Sequence, residues 1–168
     1  TLIVVALHTG LRAEELCKLK PSHVVLGKRS GHLKVWGKRG KHREVPLNST
    51  VREALSEWMD ESAGREGRTP EWLFPSRKGK TNGAGGREPR PIGVRGLAYV
   101  VKRYADLAKV EDLSCHDLRH RFGYRMAEKV PLHRLAQIMG HDSLDTTMVY
   151  VKGTRGDMQR AVEEIAWA

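Results

Sequence analysis

Met139-Gly140-His141-Asp142-Ser143-Leu144-Asp145-Thr146-Thr147-Met148-Val149-Tyr150 is the stretch on which the fold of this chain turns. It begins where an apolar helical pattern stops at a glycine, crosses a run of short polar residues and ends on a tyrosine. Upstream of it, Pro131 fits the first turn of a short helix that Gly140 ends. Leu118, Phe122 and Met126 mark another helix after Ser114, and Leu97, Val100, Val101, Tyr104 and Leu107 form the stripe of one more. Thr147, Tyr150 and Val151 are expected on a short helix. Asp157 begins a last one, with Met158, Ala161, Val162 and Ile165 on its apolar face.

The first half of the chain has a different rhythm. Leu2, Val5, Ala6 and Leu11 sit at helical spacing interrupted by Thr9-Gly10, and Arg12 to Leu19 reads as a second helix with Arg12 at its start. From Val24 to Leu47 the pattern is extended, with Val24-Val25-Leu26, Leu33-Lys34-Val35-Trp36 and Glu44-Val45-Pro46-Leu47 separated by glycine-rich basic turns. A small antiparallel sheet of two or three strands follows. Thr50 and Glu53 match a capping box, and Val51, Leu55, Trp58 and Met59 continue a helix from about Val51 to Ser62. Between Phe74 and Ile92, Pro75, Gly79, Gly83, Gly85, Gly86 and Pro89 alternate with Arg77, Lys78, Lys80, Arg87 and Arg90, the composition of a loop that is mobile when free. The expected class is α+β, mainly helical, with a small antiparallel sheet, in one domain over residues 1–168.

Thirty Lys and Arg against twenty Asp and Glu leave a formal charge of +10, a field that concentrates a polyanion at the surface. From Lys18 to Arg43 there are nine Lys or Arg and no carboxylate, so nucleic acid is the leading partner. Gly27, Gly31, Gly37 and Gly40 break this basic stretch, which excludes an amphipathic membrane-surface helix, and the apolar run Leu2–Leu7 is too short to span a bilayer. Cys17 and Cys115 form no paired motif, which fits a reducing cytosol and a cytoplasmic protein. Thr1 stands inside an apolar, helix-like run, and a fragment of a longer protein is expected.

Thr9-Gly10-Leu11-Arg12-Ala13-Glu14-Glu15-Leu16, His116-Asp117-Leu118-Arg119-His120 and the stretch from Gly140-His141 through Thr146-Thr147 to Tyr150 together resemble the three conserved boxes of the tyrosine recombinases, the phage integrase family. Order and spacing agree across nearly the whole chain. The resemblance implies the catalytic-domain fold of that family and a site-specific DNA recombinase or integrase. Such an enzyme cuts one strand to a 3′-phosphotyrosyl bond and rejoins it to a partner strand, with integration, excision or resolution as the outcome. It also implies the catalytic set Arg12, Lys38, His116, Arg119, His141 and Tyr150, duplex recombination sites as partners and a homotetramer of the parent protein on DNA. Neither the family's amino-terminal core-binding domain nor an arm-binding module is expected within these residues.

The residue types suit that chemistry. Displacing an oxygen from a DNA phosphate builds charge on the nonbridging oxygens, and a planar forked cation fits that geometry, which makes Arg12 and Arg119 the candidate clamp. Glu15, one helical turn from Arg12, is a candidate support for its guanidinium, and Glu14 is expected to face solvent. Lys38, in Trp36-Gly37-Lys38-Arg39-Gly40-Lys41-His42-Arg43, matches the family's hairpin lysine and would protonate the leaving oxygen, with Lys41 as its rival and a phosphate-backbone contact as the plainer role. His116 and His141 would hydrogen-bond the phosphate and accept or orient the tyrosine proton, in a division of labour left open. A phenol ionises near pH ~10, so the tyrosyl diester can be attacked back by a DNA hydroxyl and no ATP is needed. Tyr99, Tyr104 and Tyr124 are expected to be core or interface rings.

Arg39, Lys41 and Arg43, with Arg87, Arg90 and Arg95, are candidate DNA contacts. No cofactor or metal is called for: His116 and His120 lack the glutamate of a zinc helix, and Gly79-Lys80-Thr81 lacks the first glycine of a phosphate loop because position 74 is Phe. The face Met158, Ala161, Val162, Ile165 would dock on a neighbouring protomer or pack in cis. Two rival readings are a type IB topoisomerase that religates the same strand and a module that binds DNA without cutting it. The spacing from Gly140-His141 to Tyr150 favours the recombinase over the first, and the intact set of positions argues against the second.

Overall fold

The computed structural model describes residues 1–37, 40, 42–67, 69–76, 80–81, 87–151 and 162–163. Helix α1 (Leu2–Thr9) stops at Gly10, whose left-handed φ of 62° turns the chain into Arg12, the N-cap of α2 (Ala13–Cys17). The Arg12 amide donates to Glu15 Oε2 at 2.8 Å, so the acidic residue three positions into the helix satisfies an otherwise orphaned donor. A single 3-10 turn (Pro21–His23) leads into a three-stranded antiparallel sheet in the order β1 (Val24–Leu26), β2 (Gly31–Trp36), β3 (His42–Pro46).

Alternation decides which face of this sheet is covered. Leu33 pairs with Val45 and Val35 with Arg43. Leu33, Val35 and Val45 are buried, so Arg43, two residues from Val45, points to the same inner face. The strands flanking Lys38 end at the Trp36–His42 pair; Lys38, Arg39 and Lys41 lie outside the described residues.

Helix α3 runs Ser49–Glu66, and its cap is Asn48, whose Oδ1 accepts from the Val51 amide at 3.0 Å. The expected box of Thr50 and Glu53 is therefore displaced: an Asn bonding three residues on fills the N-cap and puts Thr50 inside the first turn. The expected loop between Phe74 and Ile92 is corrected at its described residues, while 77–79 and 82–86 lie outside them. It has a ladder at its base, with the Ile92 amide donating to Phe74 O at 2.8 Å and the Ser76 amide to Arg90 O at 2.7 Å, and β4 (Lys80–Thr81) pairs antiparallel with β5 (Arg87–Glu88) further out. Backbone groups on the two legs of a hairpin pair whether or not the composition is strand-like.

Four more helices follow: α4 (Val94–Leu107), α5 (Cys115–Ala127), α6 (Leu132–Met139) and α7 (Asp145–Met148). Ser114 and Asp117 cap α5 reciprocally, and Gly140, at φ 66°, ends α6 as its sequence suggests. Helix α7 is shorter than expected. Tyr150 lies beyond its end, its amide reaching Thr147 O at 3.0 Å in a tightened last turn. Of the expected final helix, Val162 and Glu163 are described and helical, while Asp157, Met158, Ala161 and Ile165 lie outside the described residues.

A main core of Val5, Leu16, Leu33, Leu55, Leu97 and Leu118 with their neighbours joins the sheet to α1, α3, α4 and α5. At about 1.5–3 kcal/mol per fully buried aliphatic side chain, this cluster carries most of the driving force. A second, smaller cluster of Leu135, Met139 and Tyr150 lies against Phe122, Met126 and Val130. Tyr150 is thus a core ring in this state. Tyr99 and Tyr104, expected in a core or interface, are exposed, because the inner stripe of α4 is taken by Leu97, Val101 and Ala105, whereas Tyr124, on α5, is part-exposed with its ring edge-on to Tyr150. Among the described residues no helix is long and apolar enough to cross a membrane.

Candidate active site

Three turns of chain meet at one place: Gly10 after α1, Gly140 after α6, and the first turns of α5. Arg119, on the buried side of α5, binds them together. Its Nη1 donates to Gly10 O, and its Nη2 donates to Met139 O at 3.0 Å and contacts His141 Nε2 at 2.7 Å. Burial, and then the nearby charge of Arg12, lower its pKa to about 10, so it keeps its proton at neutral pH.

The contact with Arg119 settles the His141 tautomer. A guanidinium has no acceptor, so Nε2 must accept, and the remaining proton sits on Nδ1 and is donated to Thr147 Oγ1 at 2.7 Å. Burial, followed by the charges of Arg119, Arg12 and Arg43, pushes the His141 pKa down to about 4. The imidazole is neutral at physiological pH.

Tyr150 is 7 % exposed. Its ring stacks on His141, with centroids 6.3 Å apart and planes at 12°, and meets His120 at 5.5 Å and Tyr124 edge-on at 5.2 Å. Gly123 makes the seat possible: a Cβ there would stand 2.5 Å from Cε1 of the tyrosine. Burial raises the pKa of the phenol, and the nearby Arg119 charge opposes that shift.

Arg12 is the accessible cation of the group, its side chain 44 % exposed. Its Nη2 donates to Gly140 O at 2.8 Å, so it is tied to the turn that carries His141. Glu15 does support it, with 3.4 Å between Glu15 Oε1 and Arg12 Nη1, and Glu14 is exposed as expected. The main partner of Glu15 is Arg43, which grips both carboxylate oxygens at 2.8 and 2.9 Å. Burial acts to raise the Glu15 pKa, but the hydrogen bonds from Arg43 and the Arg12 amide, with both guanidinium charges, bring it below its ordinary value.

His116 is exposed on the first turn of α5 and touches His120, ring centroids 4.1 Å apart. It lies one ring away from Tyr150, with His120 between them. His120 was weighed in the sequence only as a metal ligand, yet its Nδ1 is buried and finds no hydrogen-bond partner among the described residues. The signal was present, since positions 116, 120, 123 and 124 fall on one helical face and a glycine at 123 costs the helix about 1 kcal/mol unless something packs there. Among the described residues no three His, Cys, Asp or Glu side chains converge as a metal site would require.

Of the residues expected to touch DNA, Arg90 and Arg95 are exposed, Arg95 on the first turn of α4. The side chain of Arg87, with Arg39 and Lys41, lies outside the description. Arg43 is corrected: 14 % exposed and turned inward by strand parity, it has its fork filled by Glu15.

Known proteins resemble this chain in sequence and in fold. The sequence pattern of the phage integrase family matches residues 1–155. The tyrosine recombinase XerA of Thermococcus kodakarensis is 31% identical over 166 residues, 97% of this chain and 54% of that protein. XerD of Rhizobium meliloti is 33% identical over 143 residues, 84% of this chain and 43% of that protein. The chain thus spans about half the length of these relatives. Among solved structures, the XerH site-specific recombinase bound to its difH substrate in a pre-cleavage complex superposes with a TM-score of 0.74 at 26% identity, covering 99% of this chain and 46% of that one. A XerA recombinase crystal structure gives a TM-score of 0.73 at 24% identity over 99% of this chain and 58% of that one, a likeness of fold. Three boxes converging on one tyrosine, a family pattern that runs nearly end to end, and relatives above 30% identity leave one assignment: this chain belongs to the phage integrase family of tyrosine recombinases.

Proposed function

We propose that residues 1–168 supply the catalytic part of a site-specific DNA recombinase that cuts and rejoins strands through Tyr150. The observation that carries this reading is the seat of Tyr150 itself, stacked on a neutral His141 that is hydrogen-bonded to Arg119.

In the proposed reaction the Tyr150 oxygen attacks a backbone phosphorus, the bond to the 5′-oxygen breaks, and that oxygen leaves with a proton from Lys38 as a free 5′-hydroxyl. The phosphate stays on the tyrosine as a 3′-phosphotyrosyl diester, and a 5′-hydroxyl of a partner strand attacks it back. One phosphodiester replaces another, so neither ATP nor a metal enters the sequence. Arg12 and Arg119 bracket the nonbridging oxygens and oppose the charge that builds on them. For Arg119 this means exchanging its contact with His141 for one with phosphate.

That exchange bears on the proton. His141 Nε2 already accepts from Arg119 and Nδ1 carries a proton bound to Thr147, so His141 acts as a hydrogen-bond partner while Arg119 holds it. It becomes a base when Arg119 turns to phosphate. His116 reaches the phenol through His120. The buried, protonated phenol is a resting state, and bound DNA draws it out.

Double-stranded DNA is the proposed partner, held through Arg90, Arg95 and the basic stretch from Lys18 to Lys41, with affinity that falls steeply with salt. Integration, excision or resolution on a homotetramer in the cytoplasm completes the reading. To test it, the intact protein is incubated with a pool of randomised nicked duplexes, in which the cut strand is lost after cleavage. A denaturation-resistant protein–DNA adduct is expected, and its absence, or an equal yield from Tyr150→Phe, overturns the proposal.

A further inference from the structure

Arg43 is the most heavily engaged cation in the described structure that the reaction does not use. It sits on the inner face of β3, opposite Val35, where an aliphatic residue would extend the apolar row of Leu33, Val35 and Val45. Instead it carries its charge beneath the site. Nη1 and Nη2 donate to Glu15 Oε1 and Oε2, and Nε donates to Ile138 O at 2.9 Å, so all three nitrogens of the fork are used on two different helices.

The surroundings are built to receive it. Glu15 is 7 % exposed, and an ionised carboxylate at that depth is costly without a forked partner. Gly140 leaves the space that the guanidinium fills: a Cβ there would stand 2.6 Å from Arg43 Nη1 and 2.7 Å from its central carbon. The same Glu15 takes the Arg12 amide and side chain, and the same Gly140 carbonyl takes Arg12 Nη2. A single side chain from the sheet therefore touches both supports of Arg12, and one of those supports is the turn leading into His141.

We propose that Arg43 is a positioning residue that fixes Arg12 through Glu15 and seats the Gly140-His141 turn, locking the hairpin that bears Lys38 to the two candidate phosphate-binding elements. This deepens, and rests on, the reading of Arg12 and His141 as groups that meet the phosphate. Arg43 does not touch DNA: its fork is satisfied within the protein. Lysine cannot substitute, because a point charge on a flexible stem reaches Glu15 or Ile138 O but cannot grip both carboxylate oxygens and the carbonyl together.

The test compares Arg43→Lys and Arg43→Gln with the unaltered intact protein, and Arg65→Gln, an exposed position at the end of α3, serves as a surface control. Three quantities are measured: affinity for a random-sequence duplex as a function of salt, the rate of adduct formation on the nicked pool at saturating DNA, and the His141 tautomer by nitrogen NMR of the free protein. The expected result is an adduct rate lower by roughly 10- to 100-fold in both variants, the scale of a small misplacement of reacting groups. Duplex affinity and its salt slope stay unchanged, and the share of Nδ1-protonated His141 falls.

A slope that drops by about 0.9, one phosphate contact, would make Arg43 a DNA ligand and overturn the proposal. So would an adduct rate in Arg43→Lys equal to the unaltered protein, or a loss in both variants no larger than the fraction unfolded in urea-calibrated controls at the assay temperature. If the unaltered protein forms no adduct, the recombinase reading itself fails. The positioning claim is then decided by the tautomer and the salt slope: an unchanged tautomer in Arg43→Gln or a reduced slope overturns it, and a changed tautomer with an unchanged slope upholds it.

Discussion

Replacing Gly123 by alanine sets two opposed effects against each other. In the interior of α5 an alanine is favoured over glycine by about 1 kcal/mol, because glycine loses more backbone freedom on folding. The added methyl group, however, would lie 2.5, 2.6 and 2.8 Å from Cε1, Cζ and Cδ1 of Tyr150, well inside van der Waals contact. Overpacking of this kind costs about 1–3 kcal/mol. The ring has little room to yield, being 7 % exposed with His120 and Tyr124 edge-on to it at centroid distances of 5.5 and 5.2 Å. Gly123→Ala is therefore expected to destabilise the protein by about 0–2 kcal/mol net, the difference of the two terms.

The sign reverses once the ring is gone. In a Tyr150→Ala background the three nearest atoms to the new methyl group are gone, and the same substitution should stabilise by up to ~1 kcal/mol. Urea denaturation of the four proteins of this cycle, compared at a common denaturant concentration, is expected to give a coupling of about 1–3 kcal/mol. A thermal midpoint moves by roughly 2–4 °C per kcal/mol at this chain length. If Gly123→Ala changes stability by the same amount in both backgrounds, Tyr150 is not seated on Gly123, and the buried resting state falls with it.

Three further outcomes follow from the site. The imidazole of His141 is expected to titrate at about 4 in the folded protein, against 6.5 ordinarily. Because the folded value is depressed, its contribution is complete above pH 6.5 and is lost as pH falls from there toward about 4. NMR titration reads it directly, and a midpoint at or above 6.5 contradicts the Arg119 contact. Thr147→Val removes the hydroxyl that meets Nδ1 and should cost about 1–3 kcal/mol in urea, while Thr147→Ser, which keeps the hydroxyl, should cost clearly less; equal losses would count against the His141–Thr147 hydrogen bond. Chelating agents should leave adduct formation unchanged, since the phosphate is met by Arg12 and Arg119, and rescue by magnesium after chelation would refute that.

The sequence carried the local features well and the long-range ones poorly. Gly140 as a helix end, the Ser114 start of α5 and the three strands were legible because each depends on a few neighbouring residues. The three boxes also named Tyr150, yet nothing local says that it is buried, since its seat is built from α5, more than twenty residues away. Arg43 is the instructive miss. Its parity with Val45 already placed it on the inner face, but a charged residue in a basic stretch reads as surface until the buried Glu15, 28 residues earlier, is known to meet it. His120 was legible only as a neighbour of Gly123 on one helix face, its contact with Tyr150 being a ring contact with no fixed sequence spacing. The pairing of 74–76 with 90–92 was missed because backbone groups, and not a side-chain pattern, form it.

The central claim is that the phenolic oxygen of Tyr150 becomes covalently joined to DNA. The direct measurement is mass spectrometry of peptides from the adduct trapped on nicked duplexes. The account predicts one modified peptide, containing Tyr150, linked to the 3′-phosphate of the cut strand. A nucleotide found on any other residue, or on the 5′ side of the break, would contradict it.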